Sequence, residues 1–113
     1  MFSPHNLFYV KNMKATEAQI KAWKAKYGQI VKITVKDEAN GDKTCYLHKP
    51  SRKALGFASM AAKENPLKFN EVILNECWID GDEEIRTDDE LFLSASSKVA
   101  EMIELKEAEL EKL

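Results

Sequence analysis

The sequence predicts an α+β fold: a small antiparallel β-hairpin or sheet packed against three to four α-helices, with a long helix at the C-terminus. Three observations carry that expectation. Ile30 to Lys36 alternates apolar and polar residues strictly, which is the period of a half-buried strand. Thr16 and Thr87 each stand three residues before a Gln or Glu, the spacing that satisfies free backbone donors at a helix start. The composition, 44% hydrophobic and 32% charged over 113 residues, is that of one globular domain spanning residues 1–113 with a core of its own.

Residues 1–15 read as an arm, in which Phe8-Tyr9-Val10 suits an edge strand or irregular chain equally well. A short helix follows Thr16, with Ile20, Trp23 and Tyr27 on one face, and Gly28 ends it. The strand Ile30 to Lys36 places Val31, Ile33 and Val35 on one side, and Asn40-Gly41 turns the chain into a second strand, Thr44 to Lys49. A plain two-residue turn sets Val35 opposite Tyr46. A three-residue turn with a glycine bulge sets Val35 opposite Cys45 and Ile33 opposite Leu47; it is preferred because it gathers the smaller apolar residues on one face.

Pro50 cannot donate to a ladder and Ser51 is a good cap, so a helix opens at Arg52 and runs to about Lys63. Asn65-Pro66 separates it from a short helix lined by Phe69, Val72, Ile73 and Cys77, with Leu74 and Trp78 beside them. The turn Asp80-Gly81-Asp82-Glu83-Glu84 leads to the helix after Thr87, whose stripe is Phe92, Ala95, Val99, Met102 and Ile103. Residues 104–113 are expected to protrude as its end. A two-stranded ribbon is marginal alone, so a third strand is expected from the N-terminal arm or from a second copy of the chain.

The formal net charge of −2 hides a polarity. Residues 1–68 hold thirteen Lys and Arg against five Asp and Glu, and residues 69–113 hold four against fourteen. Such an imbalance bears on partners and permits head-to-tail association into a homo-oligomer. No apolar run approaches the roughly 18 residues of a membrane span and no leader pattern is present, so a cytoplasmic location without membrane association is expected. Cys45 and Cys77 have no framework spacing and read as reduced, semi-buried thiols.

No constellation points to an enzyme, a metal or another cofactor. With Gly81 at the sixth position of a calcium loop, Trp78 falls where an oxygen ligand belongs and Thr87 where the bidentate Glu belongs. Cys45 and His48 point to opposite faces of a strand, which defeats a half zinc site. His5 and His48 have no nucleophile at a defined spacing, and the glycines are scattered singly, unlike phosphate-cradling loops. Lys21, Lys24, Lys26, Lys32, Lys36, Lys49, Arg52 and Lys53 suggest a phosphate track, but the acidic remainder of so small a domain argues against nucleic acid as the partner.

From Lys43 onward the order is a strand, His48-Lys49-Pro50-Ser51-Arg52, a helix, a second helix ending Asn75-Glu76-Cys77-Trp78-Ile79, an acidic turn and a closing helix. Over residues 43–113 this resembles the tail-assembly chaperones of long-tailed bacteriophages; the Lys-rich helix and the arm before it have no counterpart in that pattern. The resemblance implies a non-enzymatic protein that coats the tape-measure protein and recruits tail-tube subunits. Groove binding of amphipathic helices needs an apolar surface with polar rims, and Phe69, Val72, Ile73, Leu91, Phe92 and Met102 form a candidate stripe that serves equally as core. Trp23, Phe57 and Trp78 are candidate exposed anchors. The other protein-binding reading is an intracellular adaptor or regulatory domain that engages its partner through the acidic helix from Thr87.

Overall fold

The computed structural model describes residues 15–103 and 108–113. The expected arm lies almost wholly outside the described residues. Along the chain, α1 (Glu17–Tyr27) leads into β1 (Ile30–Val35) and β2 (Lys43–His48). Then come α2 (Arg52–Ala62), α3 (Leu67–Cys77), β3 (Trp78–Gly81), the one-turn α4 (Glu84–Thr87), α5 (Asp89–Val99) and a 3₁₀ turn over Ala100–Met102. This is an α+β fold with an antiparallel sheet in the order β1-β2-β3.

The caps form as their residue types require. Thr16 accepts from the Gln19 N–H while the Gln19 side chain accepts from the Thr16 N–H, which closes the expected capping box on α1. Gly28, at φ 85°, ends that helix with its own N–H bonded to the Lys24 carbonyl. Ser51 caps α2 through the Ala54 N–H. At α5 the cap is Asp88, which accepts from Leu91 N–H, whereas Thr87 belongs to the preceding α4 turn. An ionised carboxylate makes a stronger bond to a backbone donor than a hydroxyl does, so the helix starts one residue later than the Thr87 spacing suggests.

The hairpin register departs from expectation. Ile33 pairs with Cys45, Val31 with Leu47 and Val35 with Lys43, two residues from the preferred alignment. The connection is longer than a three-residue turn. The Asp37 carboxylate accepts from the Ala39 and Asn40 N–H groups, and the Asp37 carbonyl accepts from Gly41, which lies at φ 86°. A slip of two residues leaves every side chain on its face, so the core face is the expected one: Val31, Ile33 and Val35 with Cys45 and Leu47.

Among the described residues the third strand comes from a segment the sequence did not mark. It is Trp78–Gly81, expected as a helix end and acidic turn, which pairs with β2 through Cys45–Gly81, Tyr46–Asp80 and Leu47–Trp78 with a bulge between. Past it, the Asp82 carboxylate accepts from the Thr44 N–H at 2.9 Å and the Asp82 N–H donates to the Thr44 carbonyl at 2.9 Å. β2 is therefore central. Cys45 and Leu47 on it are fully buried with Ala58, Ile73, Leu74, Cys77, Ile85, Ala95 and Val99, so helices α2 to α5 cover one sheet face. The helices were expected on that face alone, yet α1 covers the other. There Trp23 lies 5.3 Å from Tyr46, whose hydroxyl accepts from the Ala15 N–H.

The closing helix is shorter than expected. α5 ends at Val99 and tightens into the 3₁₀ turn, and residues 108–113 carry no helix. The apolar stripe is used up at Met102. Leu110 and Leu113 are fully exposed, and a helix without a packed face is marginal in water. Residues 104–107 of the expected protruding end lie outside the described residues.

Two substitutions test this packing. A Cβ at Gly81 would lie 2.5 Å from Cys45 Cα and 2.6 Å from the Thr44 oxygen, at φ 147°. Gly81→Ala is expected to cost about 2–4 kcal/mol in denaturant unfolding; an unchanged midpoint would contradict the close approach. Ser96 is buried on α5 and its hydroxyl has no hydrogen-bond partner among the described residues, so Ser96→Ala should be neutral or stabilising by up to about 1 kcal/mol.

Candidate protein-binding surface

The structure divides the sequence-derived anchors into three groups. Ile73 and Met102 are buried in the core and present no surface. Phe69, Val72, Trp78 and Phe92 are partly buried against that core. Trp23 is half-buried on the outer sheet face, and Phe57 is 49% exposed on α2 with the Lys53 ammonium 5.9 Å from its ring centroid. Leu91 is also buried, so the stripe proposed from periodicity is mostly core. Periodicity marks an apolar face but not its occupant.

Two surface leucines missed by that reading complete a groove. Leu67, 53% exposed at the start of α3, and Leu93, 51% exposed on α5, line an open cleft of about 410 Å³ with Phe92. Lys68, Glu71, Arg86 and Asp89 form its polar rim. The hairpin of α2 and α3 sets the start of α3 beside α5, and α5 turns Leu93 outward because Leu91 and Ala95 face the core. Arg86 is held by Glu83, by a long contact at 3.5 Å with the Asn75 side chain, and by the Trp78 ring, whose centroid lies 4.1 Å from its guanidinium carbon. Covering the exposed half of each leucine is worth about 1 kcal/mol. The only sequence signal for these residues is their place outside the helical stripes.

Charge separates along the strands. At the hairpin-loop end, Asp37, Glu38, Glu84, Asp88 and Glu90 border one cleft, and the two cations there are paired, Lys36 with Asp42 at 3.2 Å and Lys43 with Glu84 at 3.4 Å. At the open end, the last turn of α1 lies beside His48, the last residue of β2, from which the chain leads into α2. The Tyr27 and His48 rings stack there at 4.8 Å and 12°, with the Lys26 ammonium 5.1 Å from the tyrosine centroid. Arg52 and Lys53 occupy the first turn of α2, which has no acidic residue, against the helix dipole by about 0.3–1 kcal/mol at an exposed site.

Among the described residues no cluster of His, Cys, Asp and Glu is placed to hold a metal ion, and no helix is long and apolar enough to cross a membrane. Comparison with protein-family models, curated proteins and solved structures finds no match to this chain.

Both cysteines are free and fully buried. Desolvation lifts the Cys45 thiol from its ordinary 9.0 to about 12, and also lifts Cys77, with a smaller push from the Glu76 charge, to about 11. Both stay protonated at neutral pH and are poor nucleophiles. Because the folded values lie above the unfolded ones, the linked stability is present below pH 9 and is lost as pH rises through the folded values. The loss is at most about 1.4 kcal/mol per pH unit for each thiol. Alkaline unfolding above pH 9 should therefore be shallower in Cys45→Ala, and a thiol reagent at neutral pH should label the native protein only as fast as it opens. Labelling at the rate of a free cysteine would refute the burial.

Proposed function

We propose that this chain is a non-enzymatic protein-binding assembly protein, acting as a tail-assembly chaperone of a long-tailed bacteriophage that holds the helical tape-measure protein. The observation that carries the reading is the groove between α3 and α5. It offers Leu67, Phe92 and Leu93 to an apolar stripe and a rim of both charge signs to the polar flanks of an amphipathic helix. The resemblance over residues 43–113 supports the same class of partner. A groove of this size engages about two helical turns, so coating a long helix needs several copies, and a homo-oligomer formed on the partner is part of the proposal.

The second reading, an adaptor that binds through the acidic segment from Thr87, draws on Asp89 and Glu90, which are exposed and form no salt bridge among the described residues. Co-expression with a phage tape-measure protein separates the two. The chaperone reading expects that partner to become soluble and to co-purify. It also expects Leu67→Glu/Leu93→Glu to reduce recovery at least about tenfold while shifting stability by no more than about 0.5 kcal/mol per site. No enrichment, or enrichment insensitive to those leucines, would sink it.

A further inference from the structure

We propose that the open end of the hairpin is a docking site for an acidic segment of another protein. Chain topology brings Lys24 and Lys26, at the end of α1, to the same end of the molecule as Lys49, Arg52 and Lys53 at the start of α2. The Tyr27–His48 stack fastens the end of α1 to the end of β2, three residues before the Ser51 cap of α2. The five basic side chains are exposed, and among the described residues none of them forms a salt bridge. Glu76, at the end of α3, is a carboxylate that topology brings to this end, and it forms no salt bridge among the described residues either. Lys36 and Lys43, at the hairpin-loop end, are neutralised internally, whereas these five are not. Arg52 and Lys53 also stand where the helix dipole disfavours them, so helix stability does not account for their presence.

Three polyanions suit such a cluster, and the structure favours one. Bases of a nucleic acid need free aromatic faces, but Trp23 lies against Tyr46 and Tyr27 against His48. A second copy would have to offer its hairpin-loop end, where Asp37, Asp42, Glu84 and Asp88 are already engaged within the chain and only Glu38 and Glu90 are left. A short run of aspartate and glutamate on a different protein meets neither obstacle and avoids the acidic end. The site goes beyond the groove, although it rests on the reading of the chain as a protein-binding protein.

The test is a titration of the full chain, by fluorescence anisotropy, with a labelled oligo-glutamate peptide and separately with oligothymidylate of equal charge, at low and at raised salt. The expected result is salt-sensitive binding of the peptide, weakened about tenfold or more in Lys49→Glu/Arg52→Glu. Lys63→Glu/Lys112→Glu, with the same change in net charge at the far end of α2 and in the C-terminal segment, should bind like the parent. If the first variant fails to fold, Lys26→Gln/Lys53→Gln supplies the same readout. Equal loss in both charge-reversed variants, tighter binding of oligothymidylate, or self-association that displaces the peptide would overturn the proposal. Retained peptide binding with no tape-measure co-purification would locate the failure in the groove reading instead.

Discussion

The close approach of β3 to β2 at Gly81 is the constraint on which the remaining architecture depends. β2 carries Cys45 and Leu47, both without exposed surface, and such a strand needs hydrogen-bonding neighbours on both edges. β1 supplies one through the hairpin. The other is four residues long, and Asp82 extends it by offering a carboxylate to the Thr44 N–H in place of a further strand residue. Where the two strands meet, only a glycine leaves room for the Cys45 backbone. With β3 in place, the chain leaves the sheet directly into α4 and α5. That path buries Ile85 and Val99 over the same face as Ile73 and Leu74.

The same topology explains why the charge polarity follows the strands. Split by sequence, the basic part includes Asp37, Glu38 and Asp42. Folded, those acids sit in the hairpin loop beside Glu84, Asp88 and Glu90, and five unpaired cations collect at the other end, about 17 Å away across a six-residue strand. Antiparallel pairing makes this arrangement, because the strand that follows α1 must return to where α1 ended before α2 can begin. The molecule thus presents an acidic end whose cations Lys36 and Lys43 are paired and an end with five unpaired cations, with the α3–α5 groove as a separate apolar surface.

Helices α1, α2 and α3 were legible because each carries its own punctuation: Thr16 and Gly28 around α1, Ser51 before α2, Asn65-Pro66 before α3, whereas the one-turn α4 has no side-chain cap and was read as a turn. Which side chains share the core face of the hairpin was legible too, since alternation survives a two-residue slip, whereas the partner of each residue was not. Trp78–Gly81 carried no strand signal: it is four residues long, has a glycine at its end and follows a helix without a break. The groove leucines were illegible for the opposite reason. Leu67 and Leu93 interrupt a pattern, and an exposed leucine differs from a buried one only in what packs beside it.

By itself, then, the sequence determined the α+β class, the starts of α1, α2 and α3, the inward face of the hairpin and the imbalance of charge, all of which depend on residues near one another along the chain. Only the tertiary structure decided the third strand, the hairpin register, the helix on the second sheet face and the gathering of cations at one end. These depend on residues distant in sequence, such as Gly81 against Cys45 or Tyr27 against His48, whose contacts exist only once the chain has folded.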